Sequence, residues 1–250
     1  MELSLLQEHS LDKIDERIIL ALDFQTKDEV LNCLASLENQ VRYVKVGMEL
    51  FYAEGSAIVS LLKEQGLNVF VDLKIHDIPN TAKGSMKSLA RNGADMVNVH
   101  VAGGLAMMEA AREGLEQGIS AGSTSPLLIG VTMLTSSSQQ MMNEQMLISG
   151  RLEETVAHYA SLASLAGLDG VVASPLEVPI IKQVTRTDFL TVTPGIRTVG
   201  SAFGDQTRVT TPVKAFELGT DYIVIGRSIT QAEEPAKAWA DMMKSIQEGK

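Results

Sequence analysis

Between residues 72 and 77 the chain reads Asp72-Leu-Lys74-Ile-His-Asp77, an ammonium set between two carboxylates. These residues close an apolar run from Asn68 in which Val69, Val71, Leu73 and Ile75 alternate with Phe70, Asp72 and Lys74. Strict alternation predicts a strand. Residues two apart on a strand point the same way, roughly 6–7 Å apart along it. Asp72 and Lys74 are therefore pushed into one environment, and Asp77 follows where Asp-Ile-Pro-Asn ends the strand. Such a face needs a partner, which could be another charge, water or a charged ligand. A lysine flanked by carboxylates is held cationic, and such a network titrates as coupled groups.

Other elements must hold these charges. Ile18-Ile-Leu-Ala-Leu-Asp23 reads as a buried strand ending on Asp23. Tyr43-Val-Lys-Val-Gly-Met48 reads as a second, with Lys45 pointing inward if Val44 and Val46 face out. After the 68–75 strand come five more, at Asp95–Val101, Leu127–Leu134, Gly170–Ser174, Phe189–Thr193 and Tyr222–Gly226. Helical patterns alternate with them. The first runs from the cap Thr26 to about Asn39, with Asp28 and Glu29 in its first turn. The next are Gly55–Gln65, closed by Gly66, then Pro79–Arg91 and Gly104–Glu116. Glu153–Ala166, Leu176–Val184, Val213–Leu218 (with Gly219 as its C-cap) and Glu233–Ile246 complete the set.

Eight strands separated by eight helices imply parallel pairing, and near-continuous Val/Ile/Leu runs fit strands buried on both faces. Eight such units in 250 residues predict an α/β fold, a closed (β/α)8 barrel of the TIM type. The expectation is a single domain over residues 1–250, with residues 1–16 an amphipathic leader helix. A doubly wound open sheet is the competing fold. The lack of a Gly-x-Gly-x-x-Gly turn after the first strand counts against it.

In such a barrel the C-terminal strand ends and the loops after them form the active face. Asp23, Lys45, Asp72, Lys74, Asp77, Asn98 and His100 all fall there. Any one inward charge could be a salt bridge plugging the barrel. As a set they read as a site, because buried ion pairs are poor stabilisers against apolar replacement. A second cluster comes late: Thr193-Pro-Gly-Ile-Arg197 ends the seventh strand and Gly226-Arg227-Ser228 the eighth. Loops after strands seven and eight are the usual phosphate site of this fold. Glycines let the backbone approach an anion, and Arg197 or Arg227 can make a bidentate contact.

Blander readings suit other residues. Cys33 lies inside the first helix as a small core residue, and neither His9 nor His158 has metal-ligand company. His76 and His100 are near carboxylates, but the neighbouring lysines would compete with a cation, so no metal is expected. Met133, Met141, Met142 and Met146 either pack or line a lid. No Ser-His-Asp or cysteine nucleophile arrangement emerges.

A net charge of -10 argues against nucleic acid or an anionic membrane surface as partner. An anionic substrate would have to be captured by a local basic cluster. Cys33 is the sole cysteine, so there is no intrachain disulfide and a reducing cytoplasm fits. Residues 1–17 lack the pattern of a signal peptide, and no apolar stretch has the length of a membrane span.

The segment Asp72-Leu-Lys-Ile-His-Asp-Ile-Pro-Asn-Thr81 resembles the signature of the orotidine 5'-phosphate decarboxylase family, of the bacterial type. The resemblance runs from Ile18 to the last helix. It includes Ala21-Leu-Asp23, Val44-Lys-Val-Gly-Met-Glu49, Leu134-Thr-Ser136, Thr193-Pro-Gly-Ile-Arg197, Asp205-Gln206 and Ile225-Gly-Arg-Ser228. It implies decarboxylation of orotidine 5'-monophosphate to UMP in pyrimidine biosynthesis, with neither metal nor organic cofactor. By the resemblance Lys74 matches the proton donor to C6 and Asp72 the carboxylate beside the scissile group. Lys45 and Asp77 complete an alternating Lys-Asp-Lys-Asp chain. Asp77, Ile78 and Thr81 match residues that serve the neighbouring subunit's site, so a homodimer with shared sites is implied. Asp23 and Lys45 match ribose contacts and Thr135 a contact to the base. Arg197, Gln206, Gly226 and Arg227 match the phosphate end. The segments Thr135–Gln145 and Ile196–Thr210 are candidate lids. Rival readings are a metal-dependent sugar-phosphate lyase of the same superfamily and a non-catalytic nucleotide-binding barrel.

Overall fold

The computed structural model describes residues 14–120, 122, 124–197 and 210–249. Its strands are β1 (Ile18–Leu22), β2 (Tyr43–Gly47), β3 (Asn68–Ile75), β4 (Met96–His100), β5 (Leu127–Val131), β6 (Gly170–Val172), β7 (Leu190–Thr193) and β8 (Tyr222–Ile225). Each pairs in parallel with the next, and Ile18 of β1 pairs with Ile223 of β8 to close the barrel. The (β/α)8 expectation is therefore borne out.

Alternation along each strand sorts the core into two layers. Outward residues such as Ile18, Leu20, Val44, Val46, Val69 and Val71 pack beneath the helices. Inward residues Ile19, Ala21, Tyr43, Phe70, Met96, Ile129, Val192 and Val224 fill the barrel. The inward face then changes character along the strand. Two residues on from Tyr43, Phe70 and Met96 stand Lys45, Asp72 and Asn98. An apolar plug below and charges above are thus one consequence of a period-two pattern.

The opposite, N-terminal end carries a repeated clamp. The residue just before β4, Asp95, accepts from the Val69 N–H of β3 at 2.7 Å and pairs with Lys63 at 2.7 Å. Before β6, Asp169 accepts from the Leu128 N–H of β5 and from Arg112, both at 2.6 Å. Before β8, Asp221 accepts from the Thr191 N–H of β7 and from Lys182, both at 2.7 Å. Each clamp satisfies an orphan backbone donor at a strand start and ties in a cation from the preceding helix. This end of a barrel serves stability.

The described residues form eleven α-helical segments rather than eight: α1 (Lys27–Ser36), α2 (Met48–Glu54), α3 (Ala57–Glu64), α4 (Pro79–Arg91), α5 (Leu105–Gly118), α6 (Gln139–Glu144), α7 (Leu152–Leu165), α8 (Val178–Val184), α9 (Pro212–Glu217), α10 (Arg227–Thr230) and α11 (Pro235–Glu248). Thr26 caps α1 through a capping box with Glu29, as its sequence predicts. The predicted Gly55–Gln65 helix is corrected. Met48, assigned to the second strand, opens α2, and Gly55 at φ 68° separates α2 from α3. A short α6, capped by the Ser138 side chain, lies within the Thr135–Gln145 segment. Pro235 at N1 delays the last helix, and Gly249 in the left-handed conformation stops it after Glu248. The leader expected over 1–16 lies almost wholly outside the described residues; Ile14–Arg17 form a 3-10 turn. Among the described residues no helix is long and apolar enough to cross a membrane.

Candidate active site

β3 positions the first charges, and it does so by leaving regular geometry. Val71 pairs with Val97 of β4 and Ile75 with Val99, so β3 carries two more residues between those pairs than β4 does. Lys74 within this bulge adopts φ 50°, a left-handed conformation that costs a non-glycine residue about 1–3 kcal/mol and persists only where its surroundings over-determine it. Regular alternation, as read from the sequence, puts Asp72 and Lys74 on one face. They are together in the structure, but through a bulge that re-aims the backbone.

The side chains form a continuous ionic chain. Lys74 Nζ lies 2.7 Å from Asp72 Oδ1, Lys45 Nζ 3.4 Å from Asp72 Oδ2, and Lys45 Nζ 3.2 Å from Asp23 Oδ1. Asp72 is 9% exposed. Its burial alone would raise its pKa, but Lys45 and Lys74, with hydrogen bonds from Lys74 and Asn98, outweigh that and hold it below the ordinary carboxylate range. Burial likewise works against the Lys45 charge, and Asp72 and Asp23 more than offset it, so its pKa is raised. Gly47 leaves room for this ammonium: a Cβ there would stand 3.0 Å from Lys45 Nζ.

Asn98 completes the arrangement and is the main residue whose part the sequence reading missed. Its Nδ2 donates to Asp72 Oδ1 at 2.7 Å, and its Oδ1 accepts from the Lys74 backbone N–H at 2.8 Å. Met96, Asn98 and His100 share one face of β4, which marked Asn98 as inward. Its register against the β3 bulge carried no sequence signal. Close by, the rings of His76 and His100 lie 5.5 Å apart. Burial first, then His76 and Lys74, lower the His100 pKa against the pull of Asp72.

A cavity of about 270 Å³ opens over this network. Asp23, Lys45, Asp72 and Lys74 form one wall, with Phe70 at the base. Thr135 lines it from the loop after β5, Arg197 from the loop after β7, and Gly226 and Arg227 from the start of α10. Val131, Val172, Val192 and Val224 supply an apolar lining. Asp77, Ile78 and Thr81 are exposed and do not line this cavity; the Asp77 carboxylate accepts from the Ile78 N–H at 2.7 Å. Gln206 and most of the Ile196–Thr210 segment lie outside the described residues. Of the methionines, Met133 and Met142 are buried in the core, and Met146 is 40% exposed. Cys33 is buried as expected. Among the described residues no group of three or more His, Cys, Asp and Glu side chains could hold a metal ion.

Fold and cavity together define a class: a parallel (β/α)8 barrel with an ionic pocket at the C-terminal ends of its strands. Residues 16–242 match the model of the orotidine 5'-phosphate decarboxylase / HUMPS family. Proteins named orotidine 5'-phosphate decarboxylase from Bacillus mycoides and Bacillus cereus are each 54% identical over 226 residues, covering 90% of this chain and 95% of theirs. The crystal structure of orotidine 5'-phosphate decarboxylase from Lactobacillus acidophilus is 39% identical with a TM-score of 0.81, covering 92% of this chain and 98% of that one. A Geobacillus kaustophilus structure described as an uncharacterized conserved protein is 51% identical with a TM-score of 0.82, covering 92% and 99%. The chain belongs to the orotidine 5'-phosphate decarboxylase / HUMPS family.

Proposed function

We propose that this protein decarboxylates orotidine 5'-monophosphate to UMP in pyrimidine biosynthesis, using its own side chains and no metal or organic cofactor. The observation that carries the reading is the Asp23–Lys45–Asp72–Lys74 chain lining a cavity in a member of this family. Loss of carbon dioxide breaks the bond from C6 to the carboxylate and leaves the electron pair on a ring carbon with no ordinary sink. Rate enhancements for such slow reactions reach about 10¹⁷-fold, or about 23 kcal/mol off the barrier. The Lys74 ammonium, fixed before substrate arrives, attracts that growing negative charge. It then gives its proton to C6 and regains one from solvent. Asp72 holds Lys74 and sets a negative charge beside the scissile carboxylate.

Asp23 and Lys45 take the ribose hydroxyls, and Thr135 the base. Arg197, Gly226 and Arg227, with Gln206, take the phosphate. A basic end to the pocket also answers the net charge of -10, which would otherwise repel a nucleotide. Phosphate binding far from C6 supplies energy that loop closure can convert into catalysis. Exposure of Asp77, Ile78 and Thr81 beside their own pocket supports their service to a partner's site in a homodimer.

The test is an absorbance assay with orotidine 5'-monophosphate after exhaustive EDTA treatment. Full turnover is expected. Activity that disappears with EDTA and returns with a divalent ion would favour the sugar-phosphate lyase type of chemistry instead. UMP binding without turnover would favour the non-catalytic barrel.

A further inference from the structure

We propose that Asn98 is a positioning residue for the reaction, a clamp that sets where the Lys74 ammonium stands. This inference rests on the decarboxylase reading and adds a residue to it. Asn98 is 1% exposed and sits on β4, opposite the point where β3 bulges. The bulge takes the Lys74 N–H out of the regular ladder, and the Asn98 Oδ1 accepts from it. The same side chain donates to Asp72 Oδ1, the oxygen that also receives Lys74 Nζ. Both the backbone and the ammonium of Lys74 are therefore tied to one pair of side chains. Because Asn98 and Lys74 share Oδ1, Asp72 is turned so that Oδ2 faces Lys45.

The chemistry of the two neighbours dictates the residue type. A backbone N–H only donates and an ionised carboxylate only accepts. A bridge between them needs one acceptor and one donor on a short side chain, which is what an asparagine amide offers. Leucine offers neither. An ionised aspartate offers the acceptor but repels Asp72, whereas a protonated aspartic acid again offers both. A reacting group displaced by about 1 Å can lose about 10²-fold in rate, so a loosened clamp should lower kcat far more than substrate binding.

The experiment compares wild type, Asn98→Leu and Asn98→Asp with orotidine 5'-monophosphate between pH 5.5 and 8. Folding is checked by thermal melts and UMP affinity by titration calorimetry. At pH 8 both variants should lose about 10²-fold in kcat, with KM and UMP affinity changed only a few-fold. The carboxyl introduced in Asn98→Asp faces Asp72 and Lys74 on β3, Lys45 on β2 and the His76–His100 pair. Burial and direct contact with Asp72, whose Oδ1 this position meets at 2.7 Å, raise its pKa against the opposing pull of Lys74 and Lys45. Its kcat relative to wild type should therefore climb as pH falls, while the Asn98→Leu ratio stays flat. A flat Asn98→Leu ratio shows that the histidines, present in all three proteins, do not by themselves produce the trend.

A folded Asn98→Leu variant with kcat within twofold of wild type would overturn the clamp. So would an Asn98→Asp ratio that does not change with pH, and that variant decides alone if Asn98→Leu does not fold. Inactive wild type would overturn the decarboxylase reading as well, which separates the two failures.

Discussion

The two oxygens of Asp72 draw on three strands: Oδ1 receives Lys74 of β3 itself and Asn98 of β4, and Oδ2 receives Lys45 of β2. Removing such a buried partner leaves uncompensated cations, so Asp72→Ala should cost about 3–5 kcal/mol of stability. The sign of the pH dependence follows from the lowered pKa. A depressed carboxyl contributes fully above its unfolded value of about 3.9 and loses that contribution as pH falls through its folded value. Urea titrations should thus find a constant gap between wild type and Asp72→Ala from about pH 5 to 8 that narrows toward pH 3; a gap widening in acid would contradict the pairing. At this scale the sequence was informative wherever side-chain type and strand parity sufficed. Asp72, Lys74, Lys45 and Asp23 could be brought together because inward charges at strand ends have few places to go. Asn98 could not be given its part, because a cross-strand register interrupted by a bulge leaves no trace in either strand alone. Lys74 in a left-handed conformation was equally hidden, since the pattern reads as unbroken alternation.

The elements themselves were legible where period and caps agreed. Eight strands emerged from Val/Ile/Leu runs, and Thr26 announced α1 by its own hydroxyl and Glu29. Boundaries failed where one residue decided them, as Gly55 does between α2 and α3 and Pro235 at the start of α11. Close packing of elements was also invisible beforehand. A Cβ at Gly114 of α5 would lie 2.2 Å from the Lys83 carbonyl oxygen of α4, a backbone atom that cannot swing aside. Helix propensity alone would favour Gly114→Ala by about 1 kcal/mol, whereas overpacking typically costs about 1–3 kcal/mol. Contact wins here, so Gly114→Ala should lower the thermal midpoint. A raised midpoint would mean that α4 and α5 can separate without loss. The pair matters because α4 begins beside Ile78 and includes Thr81, residues proposed to face a partner.

At the scale of the whole molecule the barrel separates its tasks by end. Asp95, Asp169 and Asp221 clamp the strand starts, while the charges that line the cavity stand at the strand ends. If sites are shared across a two-fold dimer, Lys74 and Asp77 act in one site from different subunits. Mixing inactive Lys74→Ala and Asp77→Ala proteins under conditions of subunit exchange should then restore activity, up to about a quarter of wild type for random pairing in a symmetric dimer. No recovery despite exchange would rule out shared sites. The central claim is that the Lys74 ammonium stabilises and protonates C6, and its most direct test is single-turnover decarboxylation by a folded Lys74→Ala variant. The account predicts a loss beyond the 10²–10⁴-fold typical of general-acid catalysis, because charge stabilisation disappears with the proton. Near-wild-type decarboxylation by that variant would contradict it.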